Sequence, residues 1–419
     1  MAFMLSVPGN TPVDRHLDTD GLAQVEFGAD IKEKEFFLRP DISFFNHGSY
    51  GAVPRRVLKL QEEYNREREV HPDFWFRLNA KRYLDQAREL VAQYVGAHTD
   101  NIQLVRNATT AINCVVRSYP FAAGDALLRC TFTYGAITNL CEDFTSRIRP
   151  DVESVNLQLS FPPASEDDIL KEHEKILSQH PNIKVAIIDH ITSPSSIIMP
   201  LKRLVDLCHS HGVKVIVDGA HCLGQLPLDL ENLGADVYTA NAHKWLYTPR
   251  GCAILYLSKE SQAWAQPPNT SWQIGRSLDK QFFDQGTQDH IPMICCKHGL
   301  EFYQAVGGMD QIVKYTRTLA DEAVKLIEAE VGLKPAALPK SMEAPNLRLL
   351  EFPPLKEFPI SSENLWKLHR ALFGETSVFS LIVPVSGKFY LRICTQIYMT
   401  REDVASLVQV LKDFFSTQA

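Results

Sequence analysis

The chain has 419 residues, 45% apolar and 22% charged, with a formal net charge of −7. That length exceeds one simple core and fits one large domain plus a smaller one. The mild acidity without a basic patch argues against nucleic acid as a partner, and no apolar run reaches membrane-spanning length.

Residues 1–40 read as a polar, turn-rich arm. Its start, MAFMLSVPGNTPVDRHLD, lacks the charged and apolar regions of a secretory signal. DISFFNHGSYGAVP follows as a short strand breaking into a Gly-rich loop. RRVLKLQEEYNREREV and AKRYLDQARELVAQYVG are amphipathic helices, the second closed by Gly96. Strands and helices then alternate. NIQLVRN, DALLRCT, KVAIID, KVIVD, DVYTA and AILYL read as strands. TTAINCVVRSY, YGAITNLCEDFTSR, EDDILKEHEKILSQH and LKRLVDLCHSHG read as helices, the last with Leu201, Leu204, Val205 and Cys208 on one face. This pattern predicts an α/β large domain over 41–300, built on a mostly parallel, helix-covered sheet. Beyond residue 300, long helices and the strands LRLLEF and FYLRIC predict a small α+β domain over 301–419. The nine cysteines form no CxxC pair, which in a chain of this size reads as reduced thiols in a cytoplasmic protein.

The chemistry concentrates in VDGAHCLGQLPLDLENLGADVYTANAHKWLYTPRGC. Asp218 ends the strand KVIVD, and ligands of open parallel sheets bind at such carboxyl ends. By itself it reads equally as a turn or N-cap acid. Lys244 follows DVYTA and sits among bulky neighbours. Desolvation there would lower its pKa and make it a nucleophile toward aldehydes, although a lone lysine is commonly a solvated loop residue. Pyridoxal phosphate needs both groups: an amine for the imine and a carboxylate for the ring nitrogen. Thr109 and Thr110, at a strand-to-helix junction, offer hydroxyls and free N–H groups to a phosphate, or plain N-capping. Asn241 and His243 point the same way. His209 and His211 lie two apart on different helix faces and do not suggest a metal site.

VDGAH…NAHKWLYTPRG resembles the cofactor segment of the class V aminotransferase-like, fold-type I pyridoxal phosphate enzymes. FFNHGSYGAVP, NATTAIN, DHITSPS, QGTQD and LRICTQIY fit the same family in order, from about residue 40 to 410. The nearest branch is the isopenicillin-N epimerase-like group, which also holds ergothioneine-pathway C–S lyases, and the TYGA and HKWLYTPRGCA strings resemble those lyases most. The resemblance implies that Lys244 forms the imine and shuttles the substrate α-proton, while Asp218 pairs with the pyridine nitrogen. It places His221 and Ser193 near the phenolic oxygen, and Thr109, Thr110, Asn241 and His243 on the phosphate. Thr287 would reach the phosphate of a second copy, so a homodimer with shared sites is implied. Tyr134 would cover the ring face, Arg392 would hold the carboxylate of a small amino-acid substrate, and Asn46 and His47 would face that substrate. Taken alone, Arg392 also fits a structural ion pair and Tyr134 a core aromatic.

Four outcomes stay open. A C–S lyase acting by β-elimination on a cysteine S-conjugate or sulfoxide is the leading expectation, with an amino-acid epimerase as the alternative. An aminotransferase is the third, and a cofactor-free binding protein on the same fold is the fourth. Tyr134 suits either of the first two as a proton donor. Cysteine desulfurases of the family carry a cysteine on the loop before the carboxylate arginine. Here none lies between Phe373 and Arg392, which disfavours that chemistry. Phe74, Trp75, Phe76 and Tyr50 would suit a trimethylammonium substrate by cation–π contact, or simply pack in the core.

Overall fold

A computed structural model describes residues 13–418. The first twelve residues of the expected arm, and residue 419, lie outside the described residues. The strands are β1 (Ser43–Phe44), β2 (Ile102–Val105), β3 (Ala126–Cys130), β4 (Glu153–Leu157), β5 (Ile183–Asp189), β6 (Lys214–Asp218), β7 (Val237–Asn241), β8 (Ala253–Leu257), β9 (Lys334–Pro335), β10 (Leu347–Glu351), β11 (Val378–Phe379), β12 (Leu381–Val385) and β13 (Lys388–Cys394).

Seven of them form the main sheet in the order β2-β8-β7-β6-β5-β3-β4. β8 runs antiparallel to β2 and β7, and every other pair is parallel. Every residue of β2, β7 and β8 is buried, as continuous apolar strands require when helices cover both faces. The helix Leu201–Ser210 shows why those faces close. Leu201, Leu204, Val205 and Cys208 are its buried stripe, each leucine and valine stabilising by about 1.5–3 kcal/mol on full burial.

The C-terminal part is a four-stranded antiparallel sheet, β12-β13-β10-β9. The long helix Gly308–Val331 packs beside it, and the helix Arg401–Gln418 packs on Gly308–Val331, β1 and β11. The early strand β1 does not join the main sheet. It pairs in parallel with β11, and the Cys394 N–H donates to the Phe45 carbonyl at 2.9 Å. The loop 46–51 is thereby tied to the end of β13. The segment read as a polar arm is largely packed: Leu17, Leu22, Ile31 and Phe36 are buried, and Glu301 accepts the Leu17 N–H at 2.9 Å. Its few apolar residues are spaced among charges, so composition hides their burial.

The loop 46–51 lies directly on the turn that carries Lys244. Gly51 has φ +68°, and a Cβ there would stand 2.0 Å from the His243 carbonyl oxygen. Both the left-handed backbone and the close approach exclude a side chain. Gly51→Ala is therefore expected to destabilise by at least about 2 kcal/mol and to displace the lysine turn. Gly124, at φ +84° with nothing near its absent Cβ, should lose only about 1–2 kcal/mol as alanine. Thermal melts of both variants check the contrast.

Candidate active site

The carboxyl ends of the parallel strands converge along one sheet edge. β3 leads to Tyr134, β5 to Ser193, β6 to His221 and β7 to Lys244. A separate surface cleft lies elsewhere. It has a volume of about 940 Å³ and is lined by residues at the opposite strand ends, Lys214 and Asp236 among them. Its charges neutralise one another, with Asp236 taking Lys214 at 2.9 Å and His209 at 2.8 Å, while His211 pairs with Glu174. Nothing there is poised for reaction, so the convergent edge is the site.

Lys244 lies on the short helix Ala242–Trp245, whose first two N–H groups donate to the Cys252 carbonyl. Burial brings its amine down from 10.5 to about 8, with Asp218 opposing the shift and Arg392 adding to it. The amine is thus substantially neutral near pH 8, as a nucleophile or proton acceptor must be. Asp218 is buried and its Oδ1 accepts the Ala220 N–H at 3.0 Å. Burial raises its pKa, opposed by the Ala220 bond and the Lys244 charge. The His221 Nε2 stands 3.1 Å from the Lys244 Nζ and 3.4 Å from the Ser193 Oγ. Burial holds the ring neutral. The Trp245 indole can only donate, and it faces the His221 Nδ1 at 3.5 Å. The ring proton therefore belongs on Nε2, where it meets the neutral amine or the serine.

Thr109 and Thr110 open the helix Ala108–Ser118. Asn107 caps it, accepting the Thr110 N–H at 2.8 Å, and the Asn241 Oδ1 accepts the Ala108 N–H at 2.9 Å. Both asparagine oxygens are thus used in shaping the helix start. Neither threonine hydroxyl has a partner among the described residues, which leaves them open to an anion at a helix N-terminus. His243 differs from expectation in one respect. Its Nδ1 lies 2.9 Å from the Cys252 carbonyl, and burial lowers its pKa to about 4. Its single proton is committed to that carbonyl, so donation to a phosphate needs a second proton.

Arg392 is 3% exposed and makes no ion pair among the described residues. Its guanidinium donates to the Ser193 carbonyl at 2.8 Å, to the Asn46 Oδ1 at 3.1 Å and to the Ser49 Oγ at 3.4 Å, and its Nε has no partner. A buried cation held by neutral oxygens alone suits an incoming carboxylate. The structure places His47, expected to face a substrate, in packed surroundings. His47 is fully enclosed between Trp245, Tyr247 and Tyr398, its Nδ1 3.0 Å from the Tyr398 hydroxyl, and burial lowers it to about 3. Tyr134 is 44% exposed at the start of the helix Gly135–Asp143. Thr287 is exposed in a separate cleft with Trp272 and Phe76. Phe74 and Trp75 are core residues, Trp75 packing on Tyr64 and Tyr83.

Three contributors escaped the sequence reading: Asn107, Ser49 and Trp245. Asn107 had a visible signal, an asparagine immediately before a helix. Ser49 and Trp245 act through distant partners and had none.

The residues fit pyridoxal phosphate on structural grounds: an amine near neutrality, an adjacent buried carboxyl, and unpartnered hydroxyls at a helix start. With the sheet order, this edge defines the class as a fold-type I enzyme carrying that cofactor. The chain belongs to the aminotransferase class-V family, whose model matches residues 44–354. Hercynylcysteine sulfoxide lyase of Schizosaccharomyces pombe is 28% identical over 403 residues, covering 93% of this chain and 98% of that one. A probable chloroplastic L-cysteine desulfhydrase of Arabidopsis thaliana is 29% identical, covering 87% and 81%. A solved complex of the cystine C–S lyase C-DES with its product cysteine persulfide superimposes with a TM-score of 0.74 at 18% identity, covering 89% and 98%. The cofactor-free alternative leaves the unpaired guanidinium and the desolvated amine as costs without purpose.

The lysine makes a direct prediction. Loading of the cofactor-free protein with pyridoxal phosphate should accelerate about tenfold per pH unit below 8 and level off above it. An ordinary lysine would keep accelerating toward pH 10. Lys244→Ala should lose the visible absorption of the loaded protein, read by spectrophotometric titration.

Proposed function

We propose that this enzyme is a C–S lyase that eliminates the sulfur substituent of a cysteine-derived S-conjugate or sulfoxide, with hercynylcysteine sulfoxide the first candidate. The observation that carries the reading is the end-to-end likeness to a lyase of that substrate, spanning 93% of this chain. The net reaction consumes one water and yields pyruvate, ammonia and a thiol, or a sulfenic acid when the substrate is a sulfoxide. The Cβ–S bond breaks with its electron pair leaving on sulfur.

Bound pyridoxal phosphate supplies the electron sink for the Cα–H bond. Asp218 keeps an anionic charge against the ring nitrogen. Thr109 and Thr110, on the helix start shaped by Asn107 and Asn241, hold the phosphate, and Ser193 and His221 orient the phenolic edge. Arg392, steadied by Asn46 and Ser49, grips the substrate carboxylate and so presents the α-proton to the Lys244 amine. The Tyr134 hydroxyl donates a proton to the departing sulfur. Against persulfide formation, residues 374–391 hold no cysteine and Cys394 is fully buried with its thiol pKa raised by burial.

The active unit in this reading is a homodimer in which Thr287 and its loop serve the second copy's site; the exposed Trp272 and Ile274 nearby support a covered face. The chain divides as 1–40, 41–300 and 301–419, and nine unpaired, buried cysteines support a reducing, cytoplasmic setting. Among the described residues no helix is long and apolar enough to cross a membrane.

The deciding experiment offers the loaded enzyme hercynylcysteine sulfoxide, other cysteine conjugates, isopenicillin N and free cysteine, reading pyruvate and α-carbon chirality together. Pyruvate from the sulfoxide at the highest kcat/KM is expected. An inverted α-centre without pyruvate would make it an epimerase and overturn the proposal. Arg392→Ala should raise KM on the order of 100-fold, with Arg392→Lys intermediate because an ammonium cannot form the bidentate pair.

A further inference from the structure

The turn that carries Asp218 and His221 rests on a buried tyrosine from the neighbouring strand. Tyr238 lies in β7 opposite Val217 of β6, so its side chain leaves the sheet on the face away from Asp218. It is fully buried there, in the same apolar cluster as Val217. Its ring passes directly beneath Gly219. A Cβ on that glycine would fall well inside van der Waals contact with the Tyr238 ring and hydroxyl. Only a bare α-carbon lets the tyrosine lie so close.

His190, just past β5, completes the arrangement. Its ring Nδ1 stands 2.9 Å from the Tyr238 hydroxyl, and the two rings meet edge to face at 6.0 Å. Its backbone N–H donates to the Asp218 carbonyl at 2.9 Å. The Gly219 N–H donates to the Thr239 carbonyl at 2.7 Å, and the Cys222 N–H closes the turn on the Gly219 carbonyl at 2.8 Å. Strands on either side of β6 thus grip residues 218–222, and Tyr238 wedges them from behind. That turn presents two side chains to the site: the Asp218 carboxyl, and the His221 ring that stands 3.1 Å from the Lys244 amine. Any slip of the turn moves both.

We propose that Tyr238 and His190 are positioning residues. They form a strut on the far face of the sheet that fixes the Asp218–His221 turn, and so the carboxyl and imidazole that meet the cofactor. The proposal rests on the cofactor reading of that site. The two residues act as one unit, because the hydroxyl–imidazole bond ties the wedge under Gly219 to the residue that holds the Asp218 carbonyl.

The test uses the full chain. Tyr238→Phe keeps the ring beneath Gly219 and removes only the tie to His190. It should weaken pyridoxal phosphate binding about fivefold in an absorbance titration. It should also change the visible circular dichroism of the loaded protein and leave the far-ultraviolet signal as in wild type. His190→Ala should do the same. The double variant should bind no more than about twofold worse than the weaker single variant, because both changes break one bond. Gly219→Ala, which drives the turn off the ring, should weaken binding on the order of 100-fold.

Single variants that melt several degrees lower yet bind the cofactor as wild type does would make the pair simple packing and overturn the proposal. Losses that multiply in the double variant would overturn it as well. If Gly219→Ala does not fold, the Tyr238→Phe and His190→Ala titrations still decide. A wild type that never takes up pyridoxal phosphate would refute the cofactor reading instead. The same double-variant cycle, run on melting temperatures without cofactor, then decides whether the two residues are coupled, and additive shifts there would refute the strut.

Discussion

An amine and a carboxyl must be kept together in a place dry enough to perturb both, yet neither may neutralise the other into an inert ion pair. This constraint organises the molecule. β6 delivers Asp218 and β7 delivers Lys244, with Asp218 opposite Thr239 in the ladder. The lysine then sits on a single helical turn gripped from behind by the Cys252 carbonyl. Burial lowers the amine's pKa and raises the acid's, and in each case the partner's charge opposes the shift. Its neighbours follow the same economy: His221 and His243 are neutral because burial forbids their charge.

The site also draws on distant sequence. Arg392 comes from the C-terminal sheet and Asn46 from the loop after β1, and the β1–β11 pairing is what brings them together. The glycine approach at residue 51 presses the same loop onto the lysine turn. A shift of the C-terminal sheet would therefore move the carboxylate grip and the lysine support at once. Tyr247, directly after the lysine turn, has φ 54° in the left-handed region, and its buried ring and hydrogen bond to Gln396 hold that strain.

Charge accounting gives the cleft its chemical character. Lys244 and Arg392 are the cationic groups and Asp218 the anion that faces them. A substrate carboxylate would answer Arg392, a phosphate would meet the Thr109 helix start, and the acid remains for a ring nitrogen. Each cost of burial thus has a matching group in the cofactor or in an amino acid, which is how a site full of incompletely paired polar groups stays folded.

The strand-helix alternation, the continuous apolar strands and the strand-end placement of Asp218 and Lys244 were all legible in the amino-acid order, because periodicity and turn residues act over short range. So were Thr109 and Thr110, which share one helix start. Tertiary structure alone decided the rest. It enclosed His47 behind Trp245, committed the His243 proton to Cys252, and joined Arg392 to Asn46 and Ser49. It packed residues 13–40 onto the body and set Tyr238 beneath Gly219. Those outcomes turn on which side chains meet across hundreds of residues and on how much water is left between them, and local sequence carries no record of either.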